Sequence, residues 1–182
     1  MIRRLLELDY RASSHMRLSD KRSLFRSLTV FLAHSGDSWF WLAALFLIWL
    51  FTTGRWHTLT ALMAVGLLGL AILVLAIKFT VRRRRPAGEW GAIYRNTDPH
   101  SFPSGHAARV VFLAVLALGL GPVWFGILLL VWAPLVALAR VALGVHYLSD
   151  IMAGMLLGLL AGLAMLGISP WLIQTFPFPF SH

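Results

Sequence analysis

The sequence contains no cysteine among its 182 residues. Disulfides, thiolate metal sites and cysteine nucleophiles are therefore excluded. Charge is also scarce, because only 13% of the residues are Asp, Glu, Lys or Arg, whereas about 25% is usual in soluble proteins. Residues 1–26 lack the apolar core and cleavage site that are typical of a signal peptide.

Apolar residues are abundant instead, at 59% of the chain. This composition and length predict an all-α fold, a single polytopic membrane bundle in the cell membrane without a second domain. About 20 helical residues cross a bilayer core of about 30 Å. Five apolar stretches predict five transmembrane helices, at residues 38–53, 59–79, 104–120, 123–142 and 146–168. We expect Pro134 to kink the fourth helix without breaking it.

The ends of the chain differ from this core. Basic residues alternate with leucine and phenylalanine through residues 1–36, which predicts an amphipathic helix on the membrane surface. The alternative is a helix packed over the mouth of the bundle. The transmembrane core then covers residues 37–168 and a tail covers residues 169–182, of which we expect 176–182 to lack regular structure.

The net charge of +9 indicates partners of opposite charge. The basic residues lie in blocks beside the predicted spans and not on a soluble face. Anionic lipid headgroups are therefore favoured over nucleic acid, at roughly 1 kcal/mol for each well-placed Lys or Arg.

The first polar segment lies at the end of the second predicted span, where six residues separate Lys78 from Arg85-Pro86. A lysine and an arginine cluster at a span end are common markers of membrane topology. We assign that role to Arg82, Arg83 and Arg84. Lys78 and Arg85 are equally suited to bind an anion.

The second polar segment, Pro103-Ser104-Gly105-His106, opens the third predicted span. Proline and serine are typical of a helix start. The unpaired N–H groups of a helix N-terminus also suit an anion, which Gly105 would allow to approach closely. His106 would then lie where an imidazole can exchange a proton with that anion.

The third polar segment contains Arg140, His146 and Asp150. The two last residues are four apart at a helix start, so they share one face. A carboxylate on one ring nitrogen of His146 would leave the other nitrogen free to attack. The alternative is a buried polar trio that ties two helices together, but such residues at membrane depth usually mark function.

Five spans would place all three polar segments on one face of the membrane. The positive-inside rule predicts that this face is cytoplasmic. Within the last span, Gly154, Gly158 and Gly162 recur every fourth residue, which favours close helix packing inside the chain or in a homo-oligomer.

Taken in this order, the three segments resemble the signature of the type 2 phosphatidic acid phosphatase (PAP2) family. That superfamily also includes soluble bacterial acid phosphatases, glucose-6-phosphatase and vanadium haloperoxidases. The resemblance covers Lys78 to Asp150. One departure is Ala139, where the family pattern has a serine before the arginine.

The resemblance implies a lipid phosphate phosphatase that needs no metal or other cofactor. It makes His146 the nucleophile that forms a phosphohistidine, Asp150 its orienting partner, and His106 the acid and base. It assigns phosphate binding to Lys78, Arg85, Ser104, Gly105 and Arg140. Three fixed cations can neutralise the phosphoryl oxygens in place of a metal ion.

The substrate and some neighbouring residues stay open at this point. Phosphatidic acid, phosphatidylglycerol phosphate and undecaprenyl diphosphate all suit a site beside the bilayer. Arg95, His100 and Arg109 are candidates for headgroup contact, with ordinary loop or span-end roles as the alternative.

Three other functions compete with hydrolysis. A phosphotransferase on the same scaffold would pass the phosphoryl group to a lipid or sugar acceptor. Two histidines and a carboxylate also suit a non-haem metal triad, although three nearby cations would repel a divalent ion. A non-enzymatic lipid-handling bundle would leave the polar segments unexplained.

Overall fold

A computed structural model of the protein describes residues 2–18, 24–87 and 98–180. Within these ranges the chain forms helices with short connections. In chain order they are α1 (Ile2–His15), α2 (Leu24–Ser35), α3 (Ser38–Phe51), α4 (Gly54–Val81), α5 (Gly105–Leu120), α6 (Val123–Ala142), α7 (Leu148–Thr175) and α8 (Pro177–Phe180).

Each of the five predicted spans corresponds to one helix, from α3 to α7. Of the described helices, α4, α6 and α7 are long and apolar enough to cross a membrane individually. Helices α2 and α3 meet at 59° and together would make a fourth crossing. Helix α5 has 16 residues, which is short for a full span. Helix α6 continues through Pro134, so the predicted absence of a break is confirmed.

Helix α5 lies at the centre of the bundle, in contact with α4, α6 and α7. Its close approach to α7 depends on glycine. A Cβ at Gly158 would overlap the Ala108 carbonyl, and one at Gly162 would lie 2.8 Å from Val115 Cβ. The glycine repeat therefore packs against another helix of the same chain, which accounts for it without a homo-oligomer.

The N-terminal helices are both attached to the bundle. Ala33 of α2 is buried in an apolar cluster with Ala139, Leu143 and Val145, so α2 has the packed placement that was the alternative to a separate surface helix. Helix α1 contacts the start of α7. It also exposes large apolar side chains such as Leu8, which is 55% exposed, as an amphipathic helix at a membrane interface would.

The prediction of an irregular tail is wrong for residues 177–180. This segment forms α8, and Phe180 is buried. Trp49 Nε1 donates to the Pro179 carbonyl (2.9 Å), and Thr58 Oγ1 donates to the Phe180 carbonyl (2.5 Å). These contacts hold the tail at the end of α4 that lies opposite Lys78, because the two ends are separated by more than six helical turns. Helix α7 also extends to Thr175, beyond the predicted end at residue 168.

Candidate active site

The three polar segments meet at one end of the bundle. Lys78 comes from the last turn of α4, Gly105 and His106 come from the first turn of α5, and His146 lies in the turn before α7. All four line one cavity of about 500 Å³. Residues separated by as many as 68 positions in the sequence are thereby placed around a volume that can hold one small anion and part of a larger molecule.

His146 is held in one orientation from both sides of its ring. Arg85 Nη1 lies 3.1 Å from Nε2, and Asp150 Oδ2 lies 3.5 Å from Nδ1. Since a guanidinium can only donate, Nε2 accepts and the ring proton is on Nδ1, facing Asp150. Burial lowers the pKa of His146 to about 3; the charges of Arg85 and Arg140 act in the same direction and Asp150 opposes them. The imidazole is therefore neutral at physiological pH, with a lone pair on Nε2.

Asp150 is completely buried and connects the second and third polar segments. Its Oδ2 accepts from the Tyr147 N–H (2.9 Å), which caps the start of α7. Its backbone carbonyl accepts from the Ser104 N–H (3.0 Å). The start of α5 is thus fixed to the start of α7, which sets the distance between the two histidine-bearing segments.

His106 has a carboxylate partner that the sequence analysis did not identify. Its Nε2 lies 2.6 Å from Asp37 Oδ1, and the other oxygen of Asp37 lies 3.1 Å from His34 Nδ1. Arg109 donates to the Gly36 carbonyl from the next turn of α5. The short connection between α2 and α3 therefore positions the second histidine of the site.

The two cations of the first segment converge on a second unpredicted carboxylate. Asp98 Oδ2 accepts from Lys78 Nζ and from Arg85 Nη2, the latter at 2.8 Å. Arg85 Nε also donates to the Asp98 carbonyl (2.6 Å). A lysine and a guanidinium that share one carboxylate oxygen have the arrangement needed to bind the oxygens of a phosphate.

The remaining predicted residues lie behind the cavity surface. Ser104 is buried and caps α5, with its hydroxyl accepting from the Ala107 N–H (3.4 Å). Arg140 is 1% exposed, and its carbonyl accepts from the His146 N–H (3.4 Å). Ala139, the departure from the family pattern, packs in the apolar cluster against α2.

A comparison with known protein families agrees with this geometry. The sequence profile of the PAP2 superfamily matches residues 58–174, which contain all eight predicted site residues. The chain belongs to the PAP2 superfamily. It is accordingly a multi-pass integral membrane protein, and the resemblance stated from the three segments is confirmed.

Two curated proteins are similar in sequence. The chain is 33% identical over 135 residues to an undecaprenyl-diphosphatase of Sulfolobus acidocaldarius, an alignment that covers 72% of this chain and 64% of that protein. It is 44% identical over 98 residues to a decaprenylphosphoryl-5-phosphoribose phosphatase of Mycobacterium tuberculosis, covering 50% of each. The chain therefore spans between half and two thirds of the length of these relatives.

Two solved structures share the fold. One is a transmembrane PAP2-type phosphatidylglycerolphosphate phosphatase from Bacillus subtilis, with a TM-score of 0.74, 24% identity, and coverage of 92% of this chain and 87% of that chain. The other is LpxE from Aquifex aeolicus, with a TM-score of 0.71, 20% identity, and coverage of 88% and 95%. At these identities the likeness concerns the fold.

The contacts of Arg83 differ from the role that the sequence predicted for it. We assigned it with Arg82 and Arg84 to membrane topology, and those two side chains are indeed exposed. The Arg83 guanidinium instead turns inward, and its Nη1 donates to Asp150 Oδ1 at 2.7 Å. Nothing in the sequence distinguishes Arg83 from its exposed neighbours Arg82 and Arg84.

The three candidates for headgroup contact have different surroundings. Arg109 lines the cavity. His100 instead packs edge-on against the Phe79 ring, with 5.6 Å between ring centroids. Arg95 lies outside the described residues.

The cavity of this PAP2 protein is polar at one end and apolar along its length. Beyond Lys78, its wall follows α4 toward the middle of the bundle, with Trp39 of α3 beside it. The α4 residues of this wall are Leu67, Leu70, Ala71, Val74 and Leu75. From Leu67 to Lys78 the helix rises about 16 Å, so the wall is long enough to lie beside several carbons of a lipid chain.

Proposed function

We propose that this chain is a membrane lipid phosphate phosphatase, which hydrolyses a phosphate ester or diphosphate of a lipid through a phosphohistidine intermediate without a metal ion. The observation that carries the proposal is the state of His146. Its ring is neutral and oriented by Asp150, and Nε2 lies beside Arg85 at a cavity that Lys78 and His106 also line. A neutral, oriented imidazole next to fixed cations is what nucleophilic attack on phosphorus requires.

In the first step, Nε2 of His146 attacks the phosphorus and the bond to the lipid oxygen breaks. Lys78, Arg85 and the Gly105 amide bind the phosphoryl oxygens, the buried Arg140 adds positive charge behind them, and Ser104 fixes the first turn of α5 as its cap. To bind there, a phosphate displaces the Asp98 carboxylate from Lys78 and Arg85. His106 donates a proton to the leaving oxygen, and Asp37 stabilises the imidazolium form of His106 that supplies it.

In the second step, His106 has become the base. It takes a proton from a water molecule, whose oxygen attacks the phosphohistidine, and the N–P bond breaks. Inorganic phosphate leaves and His146 returns to its neutral form. The Asp150 carboxylate supports both steps, because it stabilises the positive charge that His146 carries while it is bonded to phosphorus.

A polyprenyl phosphate or diphosphate is the substrate class that we favour. The apolar wall along α4 suits a long hydrocarbon chain whose phosphate lies at Lys78. Both curated relatives carry the name of a polyprenyl-linked substrate. Phosphatidylglycerol phosphate and phosphatidic acid have the same general shape and are the alternatives to be tested beside it.

Transfer to an acceptor other than water is the second candidate function, because the chemistry of the first step is identical. A metal-dependent mechanism has less support. Within the described residues, no three His, Asp or Glu side chains are grouped as metal ligands.

The proposal is tested with purified protein in detergent micelles. Undecaprenyl diphosphate, phosphatidylglycerol phosphate and phosphatidic acid are supplied in turn, and free phosphate is measured. We expect release from at least one lipid, unchanged by EDTA and abolished by orthovanadate. His146→Gln should lower kcat by at least about 10⁴-fold, while the matched change of an exposed histidine on α1, His15→Gln, should leave it unaltered.

Each other result has a definite meaning. Turnover by His146→Gln at the wild-type rate would contradict the assigned nucleophile. Loss of activity with EDTA would contradict the metal-free mechanism. Phosphate that appears on an added lipid or sugar alcohol, without free phosphate, would identify the phosphotransferase.

A further inference from the structure

We propose that Arg83 and Asp9 are positioning residues for catalysis, through which the N-terminal helix α1 holds the Asp150–His146 pair in its working geometry. This inference rests on the proposed function, since it concerns the same nucleophile. Neither residue is one of the eight predicted site residues, and neither lines the cavity.

Arg83 makes three charged or polar contacts around the start of α7. Its Nη1 donates to Asp150 Oδ1 (2.7 Å) and to Ser149 Oγ (2.6 Å), and its Nη2 donates to Asp9 Oδ2 (2.6 Å). The guanidinium carbon also lies 4.1 Å from the centre of the Tyr147 ring. A guanidinium fixed by these groups has little freedom to rotate, so it holds Oδ1 of Asp150 in a defined place.

The orientation of Asp150 follows from this contact. With Oδ1 bound to Arg83, the other oxygen, Oδ2, is directed to the Tyr147 N–H and to His146 Nδ1. Asp150 is completely buried. Without Arg83 the buried Asp150 carboxylate would lose its hydrogen-bonded cation and could turn away from the His146 ring.

Side chains of helix α1 also bind the start of α7. Asp9 Oδ1 accepts from the Ser149 N–H (3.0 Å), and Asp9 Oδ2 accepts from the Ser149 hydroxyl (2.5 Å) as well as from Arg83. One turn further along α1, Ser13 Oγ accepts from the Leu148 N–H (2.9 Å). Two side chains of α1 therefore satisfy free N–H groups at the start of α7, which is the role of a helix cap.

The negative charge of Asp9 suits its position between the start of α7 and Arg83. Burial alone would raise the pKa of Asp9, but hydrogen bonds from Arg83 and Ser149 outweigh it and the pKa lies below its usual value. The carboxylate is therefore ionised at neutral pH. It faces the positive end of α7 and the Arg83 guanidinium together.

The structure thus contains a chain of contacts from α1 to the nucleophile, through Asp9, Arg83 and Asp150 to His146. None of the first three residues would touch the phosphate. Loss of a contact in this chain should change how well His146 attacks and leave phosphate binding by Lys78 and Arg85 largely intact.

The experiment compares Arg83→Gln, Arg83→Lys and Asp9→Asn with wild type, on the lipid that the wild type hydrolyses best. We expect Arg83→Gln to lower kcat by about 10- to 100-fold. The KM and the inhibition constant of inorganic phosphate should stay within about threefold. Arg83→Lys should recover part of kcat because it keeps one charged donor, and Asp9→Asn should fall between Arg83→Gln and wild type.

Two neighbouring changes serve as matched controls. Arg84→Gln removes an exposed arginine beside Arg83, and Glu7→Gln removes an exposed carboxylate from α1. Both should keep wild-type kcat. If Arg83→Gln does not yield folded protein by size exclusion, Arg83→Lys and Asp9→Asn decide the question.

The outcomes separate this inference from the proposed function. The positioning role would be overturned if Asp9→Asn and Arg83→Lys both kept the wild-type kcat and Arg83→Gln, where it folds, did so too. The proposed phosphatase activity would be unaffected by that result. A loss of phosphate binding equal to the loss of kcat would also overturn it. A wild-type protein inactive on every lipid would refute the proposed function instead.

Discussion

Acidic residues are few in this protein, and most of them surround the active-site residues. Four of the seven carboxylates, Asp9, Asp37, Asp98 and Asp150, pair with a cation or a histidine at the same end of the bundle. Isolated charges are costly beside a bilayer, so carboxylates collect where arginine, lysine and histidine require them. In such a chain an acidic residue near a span end is as good an indicator of a functional site as a basic one.

The protonation state of the His146 ring can be tested directly. Burial lowers its pKa from the usual 6.5 to about 3, so the ring should remain neutral between pH 5 and pH 8. The ¹⁵N resonances of His146, identified by their absence in His146→Gln, should not shift across this range. A titration midpoint near 6.5 would contradict the buried, neutral ring.

The same shift has a consequence for stability. The unfolded chain binds a proton at His146 below pH 6.5 and the folded chain does not, so this group's contribution to stability is complete above pH 6.5. It is lost progressively as the pH falls from 6.5 toward 3.

Among the helices, the contact between α5 and α7 matters most for the site. It carries the hydrogen bond from the Ser104 N–H to the Asp150 carbonyl, and it is close because α7 presents glycine to α5. The spacing of the two histidine-bearing segments therefore depends on glycines that have no side-chain chemistry of their own. Similar glycine repeats in membrane helices often mark pairs with close backbones.

Gly158→Ala tests this packing. The added Cβ would overlap the Ala108 carbonyl, so we expect destabilisation by about 1–3 kcal/mol. Thermal unfolding in detergent would measure it as a lower Tm, with reduced activity at temperatures that the wild type tolerates.

Gly167→Ala is the matched control in the same helix. Its new Cβ would have no neighbour within 4 Å, and alanine favours a helix over glycine by up to about 1 kcal/mol. Its Tm should stay the same or rise. A Gly158→Ala protein as stable as Gly167→Ala would show that α5 and α7 do not pack this closely.

At the scale of the whole molecule, the polar groups are distributed unevenly between the two ends of the bundle. The Lys78 end holds the site, α1, and the arginine run that ends at Arg85, while the other end has Arg55 and the tail helix α8. The positive-inside rule therefore predicts that the site faces the cytoplasm.

The absence of cysteine makes this orientation directly measurable. Arg84→Cys and Arg55→Cys each introduce one exposed thiol, at the site end and at the opposite end. In intact cells a membrane-impermeant maleimide should label Arg55→Cys and should label Arg84→Cys only after permeabilisation. The reverse pattern would place the site on the outer face, and the unmodified protein should remain unlabelled.

Much of the fold and site could be predicted from the sequence, because the signals are local. Long apolar runs gave the positions of α3 to α7, since hydrocarbon thickness imposes the length of a spanning helix. The spacing between His146 and Asp150 predicted that the two side chains lie close together, which they do, although His146 lies in the turn before α7 and not in the helix itself. The spacing of all three polar segments indicated the family, which the sequence profile confirmed.

Other features depended on which side chains meet across the bundle. The contacts of Arg83, Asp37 and Asp98 join residues far apart in the chain. The sequence does not show whether a given carboxylate or arginine is solvated or paired. The tail helix α8 was missed for a similar reason, because its Phe and Pro residues are ordered by Trp49 and Thr58.

The sequence by itself therefore determined that this protein is a membrane bundle and which histidines, cations and carboxylate form its signature. The first conclusion needs only composition and hydropathy, and the second also needs the resemblance of the three segments to a known family signature. The tertiary structure decided which partners the signature residues have: Arg83, itself paired with Asp9, contacts Asp150, and Asp37 contacts His106. The physical reason is that a hydrogen bond depends on distance and direction in space, which a linear pattern does not contain.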